Sequence, residues 1–312
     1  MINHREITGL LQITRPLNLL IAALAMVSMR YGLNHRLLGG ELSASGWVFA
    51  ESVGVMLLLM AAGNLINDYF DIKEDRINHP ERGAIGRSVP RRDLIKAHAT
   101  LSLAAMALAC DLSMRIGDWT VAVLAAVIGA LLWWYSSALK GKFVWGNVLV
   151  ALLTGLVPLW AVLPELGGSE SLTALARTER SELLQWATAF GVMAFAVSWV
   201  REIIKDIIDI PGDQAAGHRT MAVKWGAERS KKVARFVQLI VTVLYAAAAG
   251  YWLNSIGDHV SLAASIALVL PGLAMATTAF LLCSSTKIKW ADYAAKITLV
   301  IGFAVAFWLP LH

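Results

Sequence analysis

Residues 64–75 read NLINDYFDIKED, and they begin where a long apolar stretch ends. Residues 202–213 read EIIKDIIDIPGD and follow another apolar stretch in the same way. These first and second acidic segments share one spacing of polar side chains, i, i+4, i+7 and i+11. The spacing joins Asn64, Asp68, Asp71 and Asp75 in the first segment, and Glu202, Asp206, Asp209 and Asp213 in the second. On a helix these four positions fall within about 60° of one another, so each segment predicts a carboxylate stripe.

Apolar stretches dominate the rest of the chain. Of its 312 residues 57% are hydrophobic and only 16% are charged, and the mean hydropathy is +0.61. These values lie outside the soluble norm, and a helix needs about 20 residues to cross a bilayer core. Nine stretches are long enough, near 16–33, 47–67, 95–114, 119–138, 144–164, 183–204, 233–253, 260–283 and 290–310. The sequence therefore predicts an all-α, polytopic membrane protein with nine transmembrane helices, in contact with membrane lipids.

The basic residues indicate an orientation. The formal net charge is +5, but the charges do not form one stripe or arm, so a nucleic-acid partner is excluded. Most lie after the second, fourth, sixth and eighth stretches: Lys73, Arg76, Arg82, Arg87, Arg91, Arg92, Lys140, Lys142, Lys205, Arg219, Lys224, Arg229, Lys231, Lys232, Lys287 and Lys289. The positive-inside rule then predicts a cytoplasmic N-terminus, cytoplasmic acidic segments and an outer C-terminus, in the cell (inner) membrane. No obligatory protein partner is evident.

The two carboxylate stripes predict a metal site. Like charges on one helix face repel one another unless cations compensate them. Mg²⁺ prefers hard oxygen ligands and is commonly held by one or two carboxylates together with phosphate oxygens. Two facing stripes would clamp a diphosphate through bridging ions. Ordinary solvated loop residues are the alternative for either segment alone, and the repeat on one membrane side argues against it.

The pattern Asn67-Asp68-x-x-Asp71-x-x-x-Asp75, with the later Asp209-x-x-x-Asp213, resembles the signature motifs of the UbiA superfamily of intramembrane prenyltransferases. The likeness covers nearly the whole chain. It implies one domain over 1–312, with two pseudo-repeated halves, about 1–140 and 141–312, surrounding a central cavity. It also implies a Mg²⁺-dependent enzyme that transfers an isoprenyl group from its diphosphate to a lipid-soluble acceptor. The implied catalytic and metal-binding residues are Asn67, Asp68, Asp71, Asp75, Asp206, Asp209 and Asp213.

Three finer stretches point to one branch of that superfamily. RPLN at 15–18, DRIN at 75–78 and REIIKD at 201–206 are similar to geranylgeranylglycerol-phosphate geranylgeranyltransferases. The similarity implies a geranylgeranyl donor and a prenylglycerol phosphate acceptor. At 81–87, however, the chain reads ERGAIGR. Quinone-forming relatives usually have an Arg-Pro-Leu segment there, and the archaeal enzymes usually have a proline too, so this stretch matches neither group. An aromatic acceptor, as in quinone biosynthesis, therefore stays open, as does the chain length of the donor.

Further residues are predicted to bind substrate: Asn67, Arg15, Asn18, Arg82, Arg87, Tyr135, Lys140, Arg201 and Lys205. Arginine forks suit bidentate phosphate recognition, and Lys140 would offset charge on the leaving diphosphate. The alternative for Lys140 is a membrane-anchoring lysine at a span end. Lys205 is expected to pair with Asp209 or to bind phosphate. Arg201 is expected to pair with Glu202, because a charge at that depth is costly without a partner.

A secondary transporter is the rival from another functional class, since transporters also have internal repeats and polar residues within helical bundles. Transporter sites concentrate near the midplane, whereas both acidic segments lie at the ends of their predicted helices. A soluble terpene synthase would also use Asp-rich helices, but the hydropathy argues against it. The sequence therefore favours the membrane enzyme.

Overall fold

The computed structural model describes residues 4–38, 42, 44–78, 89–166, 177–256, 261–284 and 286–309. Within these ranges the chain is helical apart from one two-residue ladder, and nine helices are long and apolar enough to cross a membrane. The predicted all-α fold with nine spans is thereby confirmed. The helices extend two to four residues past several predicted ends. The seventh runs from Met221 but is broken at Gly226, which has φ 78° and ψ 162°, so the straight part of this span begins about six residues earlier than predicted.

The elements follow one another along the chain in a simple order. They are α1 (His4–Ile13), α2 (Pro16–Leu37), α3 (Gly46–Phe70), α4 (Ile72–Asn78), α5 (Arg91–Ile116), α6 (Thr120–Leu139), β1 (Lys142–Phe143), α7 (Trp145–Leu166), α8 (Arg177–Ile208), α9 (Ile210–Ala216), β2 (Arg219–Thr220), α10 (Met221–Ile256), α11 (Leu262–Leu281) and α12 (Ile288–Phe307). The two strands pair in parallel, with Lys142 opposite Arg219. The ladder therefore joins the segment after α6 to the segment after α9.

Local sequence explains where several helices begin. The Ser45 hydroxyl accepts a hydrogen bond from the Val48 amide at 3.2 Å, and Ser261 does the same for Ala264 at 3.1 Å. A side-chain oxygen at this position satisfies one of the amides that an N-terminus leaves unpaired. α2 opens on Pro16, whose fixed φ suits the first helical position. Arg15, just before it, has φ 57°, a conformation that non-glycine residues rarely adopt.

The central spans pack closely because small residues face one another. A Cβ atom added to Gly155 of α7 would lie 2.8 Å from the carbonyl oxygen of Gly191 in α8. A Cβ atom added to Gly191 would lie 2.6 Å from the carbonyl oxygen of Gly155. Only glycines allow the two backbones this approach, as is typical of membrane helix pairs. The contact fixes α8, which carries the second acidic segment, against α7.

Each acidic segment runs over two helices, which corrects the expectation of one continuous helical stripe. α3 ends at Phe70 and α8 at Ile208, and a new short helix follows each of them. The residues at the breaks have nearly the same backbone conformation, with φ −84° and ψ 4° at Asp71, and φ −92° and ψ 4° at Asp209. At the second break, Pro211 lacks an amide hydrogen and cannot continue the α8 hydrogen-bond ladder. The repeated spacing is therefore matched by a repeated helix–break–helix geometry.

Candidate active site

The first acidic segment gathers three carboxylates. One oxygen from each of Asp68, Asp71 and Asp75 lies within 4.8 Å of the other two. α3 carries Asp68, Asp71 stands at the break, and α4 carries Asp75. Asp71 is only 3% exposed. We call these three residues the aspartate trio.

Two cations and one amide surround the aspartate trio. The Arg15 guanidinium donates to Asp68 Oδ1 at 2.7 Å. The Lys140 ammonium and the Asn67 side-chain amide both donate to Asp71 Oδ2. The other polar side-chain atom of Asn67, Oδ1, is buried and has no hydrogen-bond partner among the described residues. Two cations thus face three carboxylates, and a buried acceptor remains beside them.

The excess of carboxylates over cations affects Asp75, which lies in α4, the short helix that follows the spanning helix α3. Burial, followed by the nearby charges of Asp68 and Asp71, raises the pKa of the Asp75 carboxyl from 3.8 to about 6. Burial disfavours the ionised form, and like charges add to the effect. Asp75 therefore resists ionisation until a metal cation adds to the positive charge of Arg15 and Lys140.

This shift makes a prediction about stability. Without metal, folding takes up a proton at Asp75 between pH 3.8 and 6, so stability falls as the pH rises through that window. Asp75→Asn removes the charge, and we expect it to raise the melting temperature at pH 8 in chelator by about 2–4 °C. At pH 5 the gain should be smaller, because Asp75 is then largely protonated in the folded wild type. Equal gains at the two pH values in thermal melts would contradict this.

The second acidic segment is arranged differently from the first. Asp206 Oδ2 accepts a hydrogen bond from the Asn147 side-chain amide of α7 at 2.9 Å. The Asp213 carboxylate lies 3.3 Å from His218 Nδ1 and accepts from the Thr220 hydroxyl at 3.4 Å. In the described part of the chain, Asp206, Asp209 and Asp213 do not form a trio like that of the first segment. The two acidic segments thus have the same backbone conformation at their breaks, but their side chains have different contacts.

Two side chains connect the acidic segments. Asn78 donates from Nδ2 to the Asp209 carbonyl at 3.0 Å and accepts at Oδ1 from the Gly212 amide at 2.8 Å. His218 Nε2 lies 3.1 Å from Glu74 Oε1, while its Nδ1 faces Asp213. The hydrogen bond to Asp213 raises the pKa of His218. Both contacts hold α4 against α9, so the two acidic segments meet as the sequence predicted.

The other residues predicted to bind substrate are Tyr135, Asn18, Arg82 and Arg87. Tyr135 lies four residues before the end of α6, and its ring lies beside Gly146 of α7. Asn18 lies in the first turn of α2, where its backbone amide donates a hydrogen bond to the Arg15 carbonyl at 2.9 Å. Arg82 and Arg87 lie outside the described residues.

The sequence indicated only some of the partners of Lys205 and Arg201. Lys205 pairs with Glu202 at 2.8 Å rather than with Asp209, because both side chains lie on one face of α8, three residues apart. Arg201 lies 3.6 Å from Glu202, as expected, but only 2.8 Å from Asp292 of α12. The interpretation of the sequence missed Asp292 and Asn147, and it assigned no contact to Asn78 of the DRIN stretch or to His218. A lone asparagine in a span carries no repeat or motif, but an aspartate inside an apolar stretch is itself a signal.

A substitution of Asn147 tests whether its hydrogen bond to Asp206 contributes to activity. We expect Asn147→Ala to lower kcat/KM for prenyl transfer about tenfold, because Asp206 would lose a hydrogen bond that orients its carboxylate. The matched control is Gln185→Ala, which removes an exposed amide that, among the described residues, bonds only to Ser181 of its own helix. Unchanged kcat/KM in the Asn147 variant, with normal folding in thermal melts, would show that Asp206 needs no such orientation.

Comparison with known proteins identifies the architecture. Residues 19–300 match the UbiA prenyltransferase family. The chain belongs to that family. It is therefore an integral-membrane prenyltransferase, and the transporter alternative does not apply. The resemblance inferred from the acidic segments is confirmed.

Several individual proteins resemble this UbiA-family chain. It is 32% identical over 246 residues to digeranylgeranylglyceryl phosphate synthase of Thermococcus kodakarensis, covering 76% of each chain. A solved structure of a digeranylgeranylglyceryl phosphate synthase has the same fold, with a TM-score of 0.61, 20% identity and coverage of 97% of this chain and 99% of that one. A UbiA homolog from Archaeoglobus fulgidus bound to GPP and Mg²⁺ is also similar, with a TM-score of 0.55, 17% identity and coverage of 96% and 99%.

Proposed function

We propose that the protein transfers a geranylgeranyl group from its diphosphate to the hydroxyl of a prenylglycerol phosphate, in a Mg²⁺-dependent reaction. The observation that carries this proposal is the aspartate trio at the end of α3, beside Arg15 and Lys140. The relatives named for this reaction product, at about a third identity, support the choice of acceptor.

The described residues fit Mg²⁺. The trio offers three hard oxygen ligands within 4.8 Å of one another, and Asn67 Oδ1 is a buried acceptor without a partner beside them. Bound Mg²⁺ would neutralise charge on the departing diphosphate. We assign this ligand role to Asn67 and the trio, and the corresponding role at the second segment to Asp206, Asp209 and Asp213. The Archaeoglobus fulgidus homolog, solved with GPP and Mg²⁺, supports the assignment.

Lys140 and Arg15 supply the fixed positive charge at the site. Burial alone lowers the pKa of Lys140, but the Asp71 carboxylate outweighs burial and keeps the pKa above its ordinary value. Lys140 therefore stays a cation. As charge builds on the leaving diphosphate, a cation that meets it lowers the barrier. We assign the same task to Arg82 and Arg87.

Positioning of the two substrates falls to polar residues between the acidic segments. We propose that Tyr135 and Asn18 hold the donor near its reacting carbon, and that Arg201 and Lys205 contact the polar part of a substrate. The apolar walls of the spans exclude water, which would otherwise capture the allylic carbon. The acceptor hydroxyl then forms the new C–O bond at this carbon as the bond to diphosphate breaks, and its proton is released.

Product analysis tests the proposed function. Purified protein in lipid nanodiscs receives geranylgeranyl diphosphate, Mg²⁺, and two competing acceptors, geranylgeranylglyceryl phosphate and 4-hydroxybenzoate. We expect mass spectrometry to detect the double ether lipid, and chelator to abolish it. A prenylated aromatic ring as the main product would instead assign the protein to quinone-type chemistry. Geranyl and farnesyl diphosphates in the same assay measure the preferred donor length.

We further propose that the N-terminus and the acidic segments face the cytoplasm, and that the halves 1–140 and 141–312 are pseudo-repeats. The basic loops support the orientation, and the matched backbone breaks at Asp71 and Asp209 support the repeat. Labelling of single cysteines placed after Asn78 and near Thr120, from either side of sealed vesicles, tests the orientation.

A further inference from the structure

A chain of charged side chains runs from the second acidic segment into the bundle. Lys205 pairs with Glu202 at 2.8 Å, Glu202 lies 3.6 Å from Arg201, and Arg201 Nε lies 2.8 Å from Asp292 Oδ1. Lys296 Nζ lies 3.3 Å from the other oxygen of Asp292. We call these five residues the charged network. It joins α8 to α12, and neither Asp292 nor Lys296 belongs to the acidic segments.

The network lies inside the membrane bundle. Arg201 precedes the end of α8 by seven residues, and Lys296 follows the start of α12 by eight, so both lie about 10–12 Å inward from those helix ends. The side chains of Arg201 and Asp292 are each only 15% exposed, whereas that of Lys296 is 26% exposed. Charges at such depth are costly and mark functional positions more often than structural ones.

Two cations of the network share one carboxylate. Arg201 of α8 and Lys296 of α12 both contact Asp292, at 2.8 and 3.3 Å. The Arg201–Asp292 pair alone ties α8 to α12, because Lys296 and Asp292 lie four residues apart on the same helix. The close contact between Arg201 Nε and Asp292 Oδ1 is also not an aligned hydrogen bond for either atom. An anion that replaced part of this contact would therefore meet a guanidinium fork and an ammonium group with donors to spare.

We infer that Arg201 and Lys296 bind the phosphate monoester of the acceptor lipid. The inference rests on the proposed function and names where that substrate's phosphate is held. The donor diphosphate belongs with the aspartate trio, and two phosphate groups repel each other unless separate cations hold them. The charged network supplies this separate site, at a depth where the acceptor's prenyl chain lies among the spans. Asp292 orients both cations and is a positioning residue.

A cycle of variants and acceptors tests the inference. Initial rates are measured with Mg²⁺, and geranylgeranyl diphosphate and the acceptor are varied in turn while the other is saturating. The acceptor is geranylgeranylglyceryl phosphate or its phosphate-free alcohol. Lys296→Met should raise the KM for the phosphate acceptor about tenfold or more, while the KM for the donor changes less than about twofold. Lys296→Arg should recover most of the loss. With the phosphate-free alcohol, wild type and Lys296→Met should react equally.

The controls separate binding from folding. Lys231→Met removes another lysine of low exposure that pairs with an acidic residue of its own helix, Glu228, and should leave both KM values unchanged. Thermal melts identify a variant that is misfolded, and Lys296→Arg then carries the test. Equal losses of Lys296→Met on both acceptors, or a rise in the donor KM alone, would overturn the inference while the proposed function stands. Wild type that prenylates only the aromatic acceptor would overturn the proposed function itself.

Discussion

Asp71→Asn is expected to reduce prenyl transfer by about a thousandfold or more, the largest effect of any single change in the chain. Asp71 is the buried centre of the aspartate trio, and its Oδ2 accepts from both Lys140 and Asn67. Asparagine keeps the shape of the side chain but loses the charge that holds a divalent cation. It also leaves Lys140 without its anionic partner. The measurement is initial rate against Mg²⁺ concentration, with geranylgeranyl diphosphate and the phosphate acceptor.

The control for this change is Asp111→Asn, which removes an acidic residue that pairs with Arg115 and lies about five residues before the end of α5. It should leave activity within about twofold, since exposed ion pairs contribute little. Asp209→Asn, at the matching break of the second segment, is expected to reduce activity strongly as well. If Asp71→Asn folds normally and keeps its dependence on Mg²⁺, the trio does not hold the metal.

The fold was largely predictable because membrane spans are encoded locally. A run of about 20 apolar residues is sufficient to indicate a spanning helix, and each of the nine predicted runs overlaps a helix of the structure. The helix breaks were not predictable in the same way. Spacing at i, i+4, i+7 and i+11 fits a continuous helix, and in the first segment nothing like Pro211 marks the break at Asp71. The conformation there depends on packing of α4 against α9, which periodicity does not contain.

The candidate site was predictable where polar residues repeat and not where they stand alone. The repeated spacing is sufficient to identify both acidic segments. Arg15 and Lys140, which the sequence predicted to bind substrate, lie beside the trio. Asn147 acts through one hydrogen bond to a distant segment, and no local pattern distinguishes it from other asparagines. Asn78 belongs to the DRIN stretch, but its two hydrogen bonds to the second acidic segment depend on the tertiary fold. Asp292 and Lys296 differ, since two ionisable residues four apart inside an apolar stretch are a signal that the sequence offered.

Gly212→Ala is expected to have the second largest effect, because it separates the two acidic segments. A Cβ atom at this position would lie 2.3 Å from the Asn78 side-chain nitrogen, closer than any real contact. Asn78 would have to leave, and its bonds to the Gly212 amide and the Asp209 carbonyl would be lost together. α4 would then move away from α9. We expect activity to fall about a hundredfold, since a displacement of about 1 Å in the reacting geometry has this effect.

A double-mutant cycle decides whether the loss arises from Asn78. Asn78→Ala alone removes both hydrogen bonds without a clash and should reduce activity less than Gly212→Ala. If Asn78 is the group displaced, the double variant should be no worse than Gly212→Ala alone, because the clash disappears with the side chain. Gly250→Ala is the matched control, since an added Cβ there meets nothing within 4 Å. Additive losses in rate would mean that Gly212 acts through its own turn in α9. The contact between the two acidic segments would then depend on His218 and the β1–β2 ladder instead.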